Sequence, residues 1–134
     1  MQASFHQLNW FAILAAAIST FLIGGIWYSL FEKPWMAENN FTKEMLRQRK
    51  LPAVFGFSFL FSCVIAINLA MFIGETHDIR FGLMAGFLAG FGWVVFPFGI
   101  IALFEHRSVK YILINGGYMT VAFTVMGAIL GAWH

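Results

Sequence analysis

The sequence predicts an all-α membrane protein: a bundle of four transmembrane helices at about 10–31, 52–74, 81–104 and 110–133, with a short interfacial helix in the first link. Three observations predict it. Residues 10–31, 51–74, 81–104 and 111–133 contain no Asp, Glu, Lys or Arg, and a charge-free apolar run of about 20 residues makes a helix as long as a bilayer's hydrocarbon core. Hydrophobic residues make up 60% of the chain and charged residues 10%, against about 25% charged in soluble domains. Finally, seven of the eight Lys and Arg residues fall in the first and third links.

The first apolar run does not read as a signal peptide. Met1–Leu8 carries no Lys or Arg, and the run is too long for the apolar part of one. Link 1 (Glu32–Lys50) has room for a helix after Pro34 and Trp35, with Asn40 as its cap and Lys43, Arg47 and Lys50 recurring on one face. That segment suits an anionic lipid surface; a solvated basic loop explains the charges equally well. Links 2 (Glu75–Arg80) and 3 (Glu105–Lys110) are short, so their flanking spans must be antiparallel neighbours. Pro97 removes a backbone donor inside span 3 and should kink it, freeing the carbonyl of Trp93. Four spans and their links take up nearly all 134 residues, which predicts a single transmembrane four-helix domain over 1–134.

Lys33, Lys43, Arg47, Arg49, Lys50, Arg107 and Lys110 gather at one rim and only Arg80 at the other. Short loops rich in Lys and Arg stay cytoplasmic. The expected localisation is therefore the plasma (inner) membrane, multi-pass, with both termini outside the cytoplasm.

Small residues recur every four positions in every span, including Gly24 in span 1, Gly82, Gly86 and Gly90 in span 3, and Gly127 and Gly131 in span 4. In lipid such stripes let backbones approach closely, which predicts a tight bundle or a seam between subunits. Pro97 apart, the spans hold little that chemistry needs. No Asp, Glu, Lys, Arg or His lies in the bilayer interior, Cys63 stands alone near mid-span, and Ser19, Thr20, Ser62, Thr120 and Thr124 are expected to bond back to their own helices. Asn68 is expected to bond a neighbouring helix. One cysteine excludes an intramolecular disulfide and any paired-cysteine zinc or redox site. His6, His77 and His134 share a rim with Glu75 and Asp78 but lack ligand spacing, so no metal site and no cofactor is expected. Phosphate loops and hydrolase motifs are missing from the sequence.

The candidate site is a polar and aromatic cluster at the basic rim: Trp27, Tyr28, Glu32, Lys33, Trp35, Glu105, Arg107, Asn115 and Tyr118. An aromatic belt explains the rings. The charges and Asn115 go beyond a belt, pointing to a charge-paired network joining spans 1, 3 and 4, or to a pocket for a lipid head group.

Two motif blocks cross these residues, GxxWYS…K.W.M in span 1 and LFE.R…K..LIN.GY…MGAILG.W in spans 3 and 4. Together they resemble domain-of-unknown-function family 1761, small four-helix integral-membrane proteins of bacteria and fungi. The resemblance covers nearly the whole chain. It carries over to Gly24, Trp27, Tyr28, Ser29, Lys33, Trp35, Phe104, Glu105, Arg107, Asn115, Gly117, Tyr118, Gly127 and Gly131. The chain departs from the family pattern at Leu30 and Glu32, where Pro and Gly are common, and at Met119, where His is frequent. The resemblance implies architecture and membership and no assigned reaction.

Three function classes stay open. The reading adopted is a non-catalytic packing, interaction or lipid-associated protein, leaning away from an enzyme. The first alternative is a small oligomeric transporter or channel with a polar seam through Ser62, Asn68, Thr120 and Thr124. The second is a membrane enzyme acting on a lipid head group, with Glu105, Lys33 and Arg107 as acid, base and phosphate clamp. The expected partner is the lipid bilayer; a homo-oligomer stays open and nucleic acid is not expected.

Overall fold

The computed structural model describes residues 8–74 and 78–133, and these are helical with no strand among them. Helix α1 (Trp10–Leu30) starts at Asn9, whose side chain accepts from the amides of Phe11 and Ala12, both at 3.1 Å. Such a cap satisfies amides that the first helical turn leaves without partners. Helix α4 (Leu51–Ile73) carries Pro52 in its first turn, where a missing N–H costs nothing. Helix α5 (Ile79–Phe87) is capped by Asp78 and α7 (Val109–Ala132) by Ser108, each through its side-chain oxygen.

Between α5 and α6 (Phe96–Phe104) the chain does not break. Residues Leu88–Val95 widen into a π-helix, so that the third span runs from Ile79 to Phe104. The cause lies in Pro97. It cannot donate to the carbonyl of Trp93, four residues back, whereas in a π-helix that carbonyl is matched with the residue five ahead. The disturbance expected at Pro97 includes a change of helix type just before it, and Pro97 sits in the first turn of α6.

Link 1 differs from expectation in a second way. It holds two short helices, α2 (Glu32–Asn39) and α3 (Lys43–Arg47). Asn40 does not start a helix but ends α2, in the left-handed conformation at φ 56° that Asn tolerates better than most residues. Thr42 caps α3, accepting from the Met45 amide at 3.2 Å. Lys50 precedes α4, so Lys43, Arg47 and Lys50 do not share one helix.

Four helical stretches, Trp10–Leu30, Leu51–Ile73, Ile79–Phe104 and Val109–Ala132, are long and apolar enough to cross a membrane. Helix α7 is the centre, touching α1, α4, α5, the π segment and α6. The two halves of the bundle are built differently. The buried core joins Ala12, Ile13 and Ala16 of α1, Ala66, Leu69 and Ile73 of α4, Ala85 of α5, and Met126 and Leu130 of α7. All of these lie in the half away from the basic rim, because each span contributes its end distal to links 1 and 3. There α5 and α7 meet backbone to backbone. A Cβ on Gly82 would stand 2.1 Å from the Gly127 carbonyl oxygen, and one on Gly127 would stand 2.0 Å from that of Gly82. Gly86 is as tight against the Phe123 carbonyl, Gly131 lies against that of Asp78, and Gly90 lies against the Phe123 side chain. Outward faces carry exposed Phe11, Phe57, Phe61 and Phe104, as helices facing lipid tails should.

Candidate functional site

Towards the basic rim the small-residue seam gives way to large aromatic side chains tied by hydrogen bonds. Trp27 donates from Nε1 to the Ile114 carbonyl at 2.8 Å, which fixes α1 to α7. Its indole lies where a Cβ on Gly117 would be only 2.7 Å from Cζ2, so the glycine makes room for the ring. One residue on, the Tyr28 hydroxyl donates to Asn115 Oδ1 at 2.6 Å, and Asn115 Nδ2 donates to the Tyr111 carbonyl at 3.1 Å. Tyr118 reaches the other way and donates to the Thr20 carbonyl at 3.0 Å, passing Gly24, where a Cβ would lie 3.2 Å from its hydroxyl. Tyr28 meets Tyr118 edge to face at 5.3 Å and Trp35 of α2 at 5.6 Å, and Trp35 in turn meets Phe41 at 5.3 Å. Edge-to-face pairs of this kind add about 0.5–1.5 kcal/mol each beyond burial.

At the rim itself the links are sewn together. The Arg107 guanidinium lies 3.8 Å over the ring of Tyr111 and donates from Nη2 to Asn39 Oδ1, while Ser108 donates to Glu38. Asn39 is itself held by donation to the Trp35 carbonyl at 2.8 Å. The sharp reversal before α7 uses His106 at φ 58°.

The structure therefore brings together Trp27, Tyr28, Trp35, Asn115 and Tyr118, and joins Arg107 to them through Asn39 and Tyr111. It does not bring in Glu32, Lys33 or Glu105. All three are exposed, and among the described residues none makes an ion pair or a side-chain hydrogen bond. The expected charge-paired network is replaced by neutral hydrogen bonds and one cation over a ring. The physical reason is position: Glu32 and Lys33 open α2 and Glu105 closes α6, where water at the rim solvates them. Sequence reasoning missed Glu38, Asn39 and Ser108, and did not foresee the Thr20 carbonyl as the acceptor for Tyr118. Ser108 carried a signal, a Ser shortly before a long apolar run being a cap pattern; the others are long-range contacts with no local mark.

Mid-span hydroxyls bond to their own helices: Ser19 and Thr20 to the Ala16 carbonyl, Ser62 to Ser58, Thr120 to Gly116 and Thr124 to Thr120. Asn68 does the same, donating to the Val64 carbonyl at 2.8 Å, which corrects the expected bond to a neighbouring helix. No polar seam joins Ser62, Asn68, Thr120 and Thr124. Cys63 is a free, half-buried thiol. No group of metal-ligating residues gathers among the described residues, and His6, Glu75, His77 and His134 lie outside them. A cavity of about 300 Å³ opens beside the cluster, lined by Tyr28, Tyr111, Asn115 and Tyr118 with Val94, Val95, Phe98, Gly116 and Met119.

Compared with known proteins, the chain matches a family model described as "Protein of unknown function (DUF1761)" over residues 11–131. No curated protein and no solved structure matches it.

Proposed function

We propose, from the premise that the chain belongs to the DUF1761 family, that it is a non-catalytic, lipid-associated membrane protein whose basic-rim cluster locks its helices together beside the lipid head groups. The observation that carries this reading is the use made of the polar side chains. Tyr28, Trp27, Tyr118, Arg107 and Ser108 each spend a donor on another span or link. Among the described residues no buried side-chain nitrogen or oxygen lacks a partner. Arg107 is engaged by Asn39 and the ring of Tyr111, and among the described residues it makes no ion pair with Glu105, which speaks against an acid, a base and a phosphate clamp acting together. Hydroxyls turned to their own helices speak against a polar conduit.

The basic rim supports an orientation. Seven Lys and Arg residues lie there against one at the opposite rim, and the positive-inside rule puts the basic rim in the cytoplasm of a plasma (inner) membrane, both termini outside. A reporter fused after His134 then gives the non-cytoplasmic signal; a cytoplasmic signal overturns the orientation.

The reading is tested by native mass spectrometry of detergent-released protein together with ion and solute flux in proteoliposomes. Retained lipid without flux above protein-free vesicles, and without chemical change of the lipid, is the expected result. Flux at many turnovers per molecule, or a modified lipid, would overturn it.

A further inference from the structure

The cavity at the basic-rim end is lined by membrane-spanning helices: α1 through Tyr28, the π segment through Val94 and Val95, α6 through Phe98, and α7 through the rest. Two backbone features shape it. The π-helix turns consecutive residues, Val94 and Val95, towards α7. Gly116 then leaves room for Val95, since a Cβ there would stand 3.0 Å from Val95 Cγ1. Widened helices of this type recur at functional sites.

The lining selects a ligand class. No charged side chain lines the cavity, and Arg107 covers the ring of Tyr111 and bonds Asn39. Four of the lining residues are aromatic, with Tyr28 edge-on to Tyr118 at 5.3 Å and Phe98 stacked on Tyr111 at 5.5 Å. Flat walls of this kind take a flat ring. The hydrogen-bond valences decide the rest. Tyr28 and Tyr118 have spent their hydrogens on Asn115 and Thr20. Asn115 has used one amide hydrogen on the Tyr111 carbonyl and keeps the other, and the Tyr111 hydroxyl makes no hydrogen bond among the described residues. The spare hydrogens therefore sit on Asn115 and Tyr111, and they call for acceptor oxygens. A volume of about 300 Å³ is at the small end of ligand pockets, which run from about 300 to 1,000 Å³. It has room for one substituted ring.

We propose that this cavity binds the carbonyl-bearing ring of a neutral isoprenoid-type lipid, a quinone, with Asn115 and Tyr111 donating to its oxygens. The proposal rests on the lipid-associated reading and names the lipid; it concerns binding and assigns no electron transfer.

The test is a titration of the intact, detergent-solubilised protein with decyl-benzoquinone, read by quenching of tryptophan emission, since Trp35 touches Tyr28 at the cavity wall. Saturable quenching is expected. Tyr111→Phe, which keeps the ring under Arg107, should weaken binding about tenfold, the worth of one hydrogen bond. Val94→Phe fills the cavity without touching the Tyr28–Asn115 bond and should abolish saturation while leaving thermal unfolding in place. Quenching that is linear in the probe, or unchanged in Val94→Phe, overturns the proposal. So does displacement of the probe by phosphatidylglycerol, which would make the occupant anionic. If Val94→Phe unfolds early, Met119→Phe supplies the same blockade from α7. Protein that retains other lipids without flux, yet ignores the quinone, overturns this inference alone; flux or lipid turnover overturns the reading beneath it.

Discussion

Adding one methyl group at Gly127 should separate spans 3 and 4. Its Cβ would stand 2.0 Å from the Gly82 carbonyl oxygen and 3.0 Å from the Gly86 Cα. A comfortable carbon-to-oxygen contact is about 3.3 Å, so the two backbones must part by about 1.3 Å. Overpacking by one methyl group costs about 1–3 kcal/mol, and the upper end applies because the struck atoms are backbone and cannot swing aside. Removing glycine from a helix interior returns about 0.5–1 kcal/mol, leaving a net loss of about 2 kcal/mol. Gly25 and Gly56 serve as controls, since a Cβ on either meets nothing within 4 Å; Gly25→Ala and Gly56→Ala should be neutral or mildly stabilising. Gly82→Ala strikes the reciprocal carbonyl at 2.1 Å. Once the first substitution has parted the helices the second meets less resistance, so the double variant should lose clearly less than the two singles added. Reversible unfolding in mixed micelles, or steric trapping in bicelles, measures all five variants against the parent protein. Gly127→Ala unfolding no more easily than Gly25→Ala, or strict additivity with Gly82→Ala, would refute the reasoning.

Three further outcomes follow from the basic-rim half. Tyr28→Phe keeps the ring contacts but takes the donor from Asn115 Oδ1, and should lower unfolding stability by about 0.5–1.5 kcal/mol, nearer the low end within a bilayer. Gly117→Ala drives the Trp27 indole from its place at 2.7 Å and breaks its bond to Ile114; the emission maximum should shift, and adding Trp27→Phe should recover part of the lost stability. Asn40→Val forces a β-branched residue into φ 56° at an exposed site and should cost about 1–2 kcal/mol, seen as faster amide exchange in α2, whereas Asn40→Gly should leave exchange unchanged.

How far the sequence could be read depended on what kind of signal each feature leaves. The four spans ended within a residue or two of expectation because charge-free length is a local property, fixed by the bilayer. The glycines of spans 3 and 4 were visible as a period, yet the period could not say that Gly82 faces Gly127, since pairing depends on how two helices are rotated. Pro97 announced a disturbance, but not that it would take the form of a widened helix in which Val95 packs on Gly116. In the cluster, Trp27, Tyr28, Asn115 and Tyr118 were legible as polar or aromatic groups out of place in a bare span. Glu32, Lys33 and Glu105 were drawn in by nearness along the chain to those groups, and their place at helix ends left them in solvent. Asn39 escaped notice because a polar residue in a link is the commonest thing there is. It became informative only when folding set it against Arg107.

The most direct measurement of the central claim is sidedness. In a Cys63→Ser background, single cysteines at Lys43, Asp78 and Arg107 are labelled with an impermeant maleimide in sealed right-side-out and inverted vesicles. Cysteines at 43 and 107 reacting from the same side, with 78 reacting only from the other, is the result expected of four crossings with links 1 and 3 on a shared rim. Labelling of 43 and 107 from opposite sides, or of 78 together with either, would contradict it.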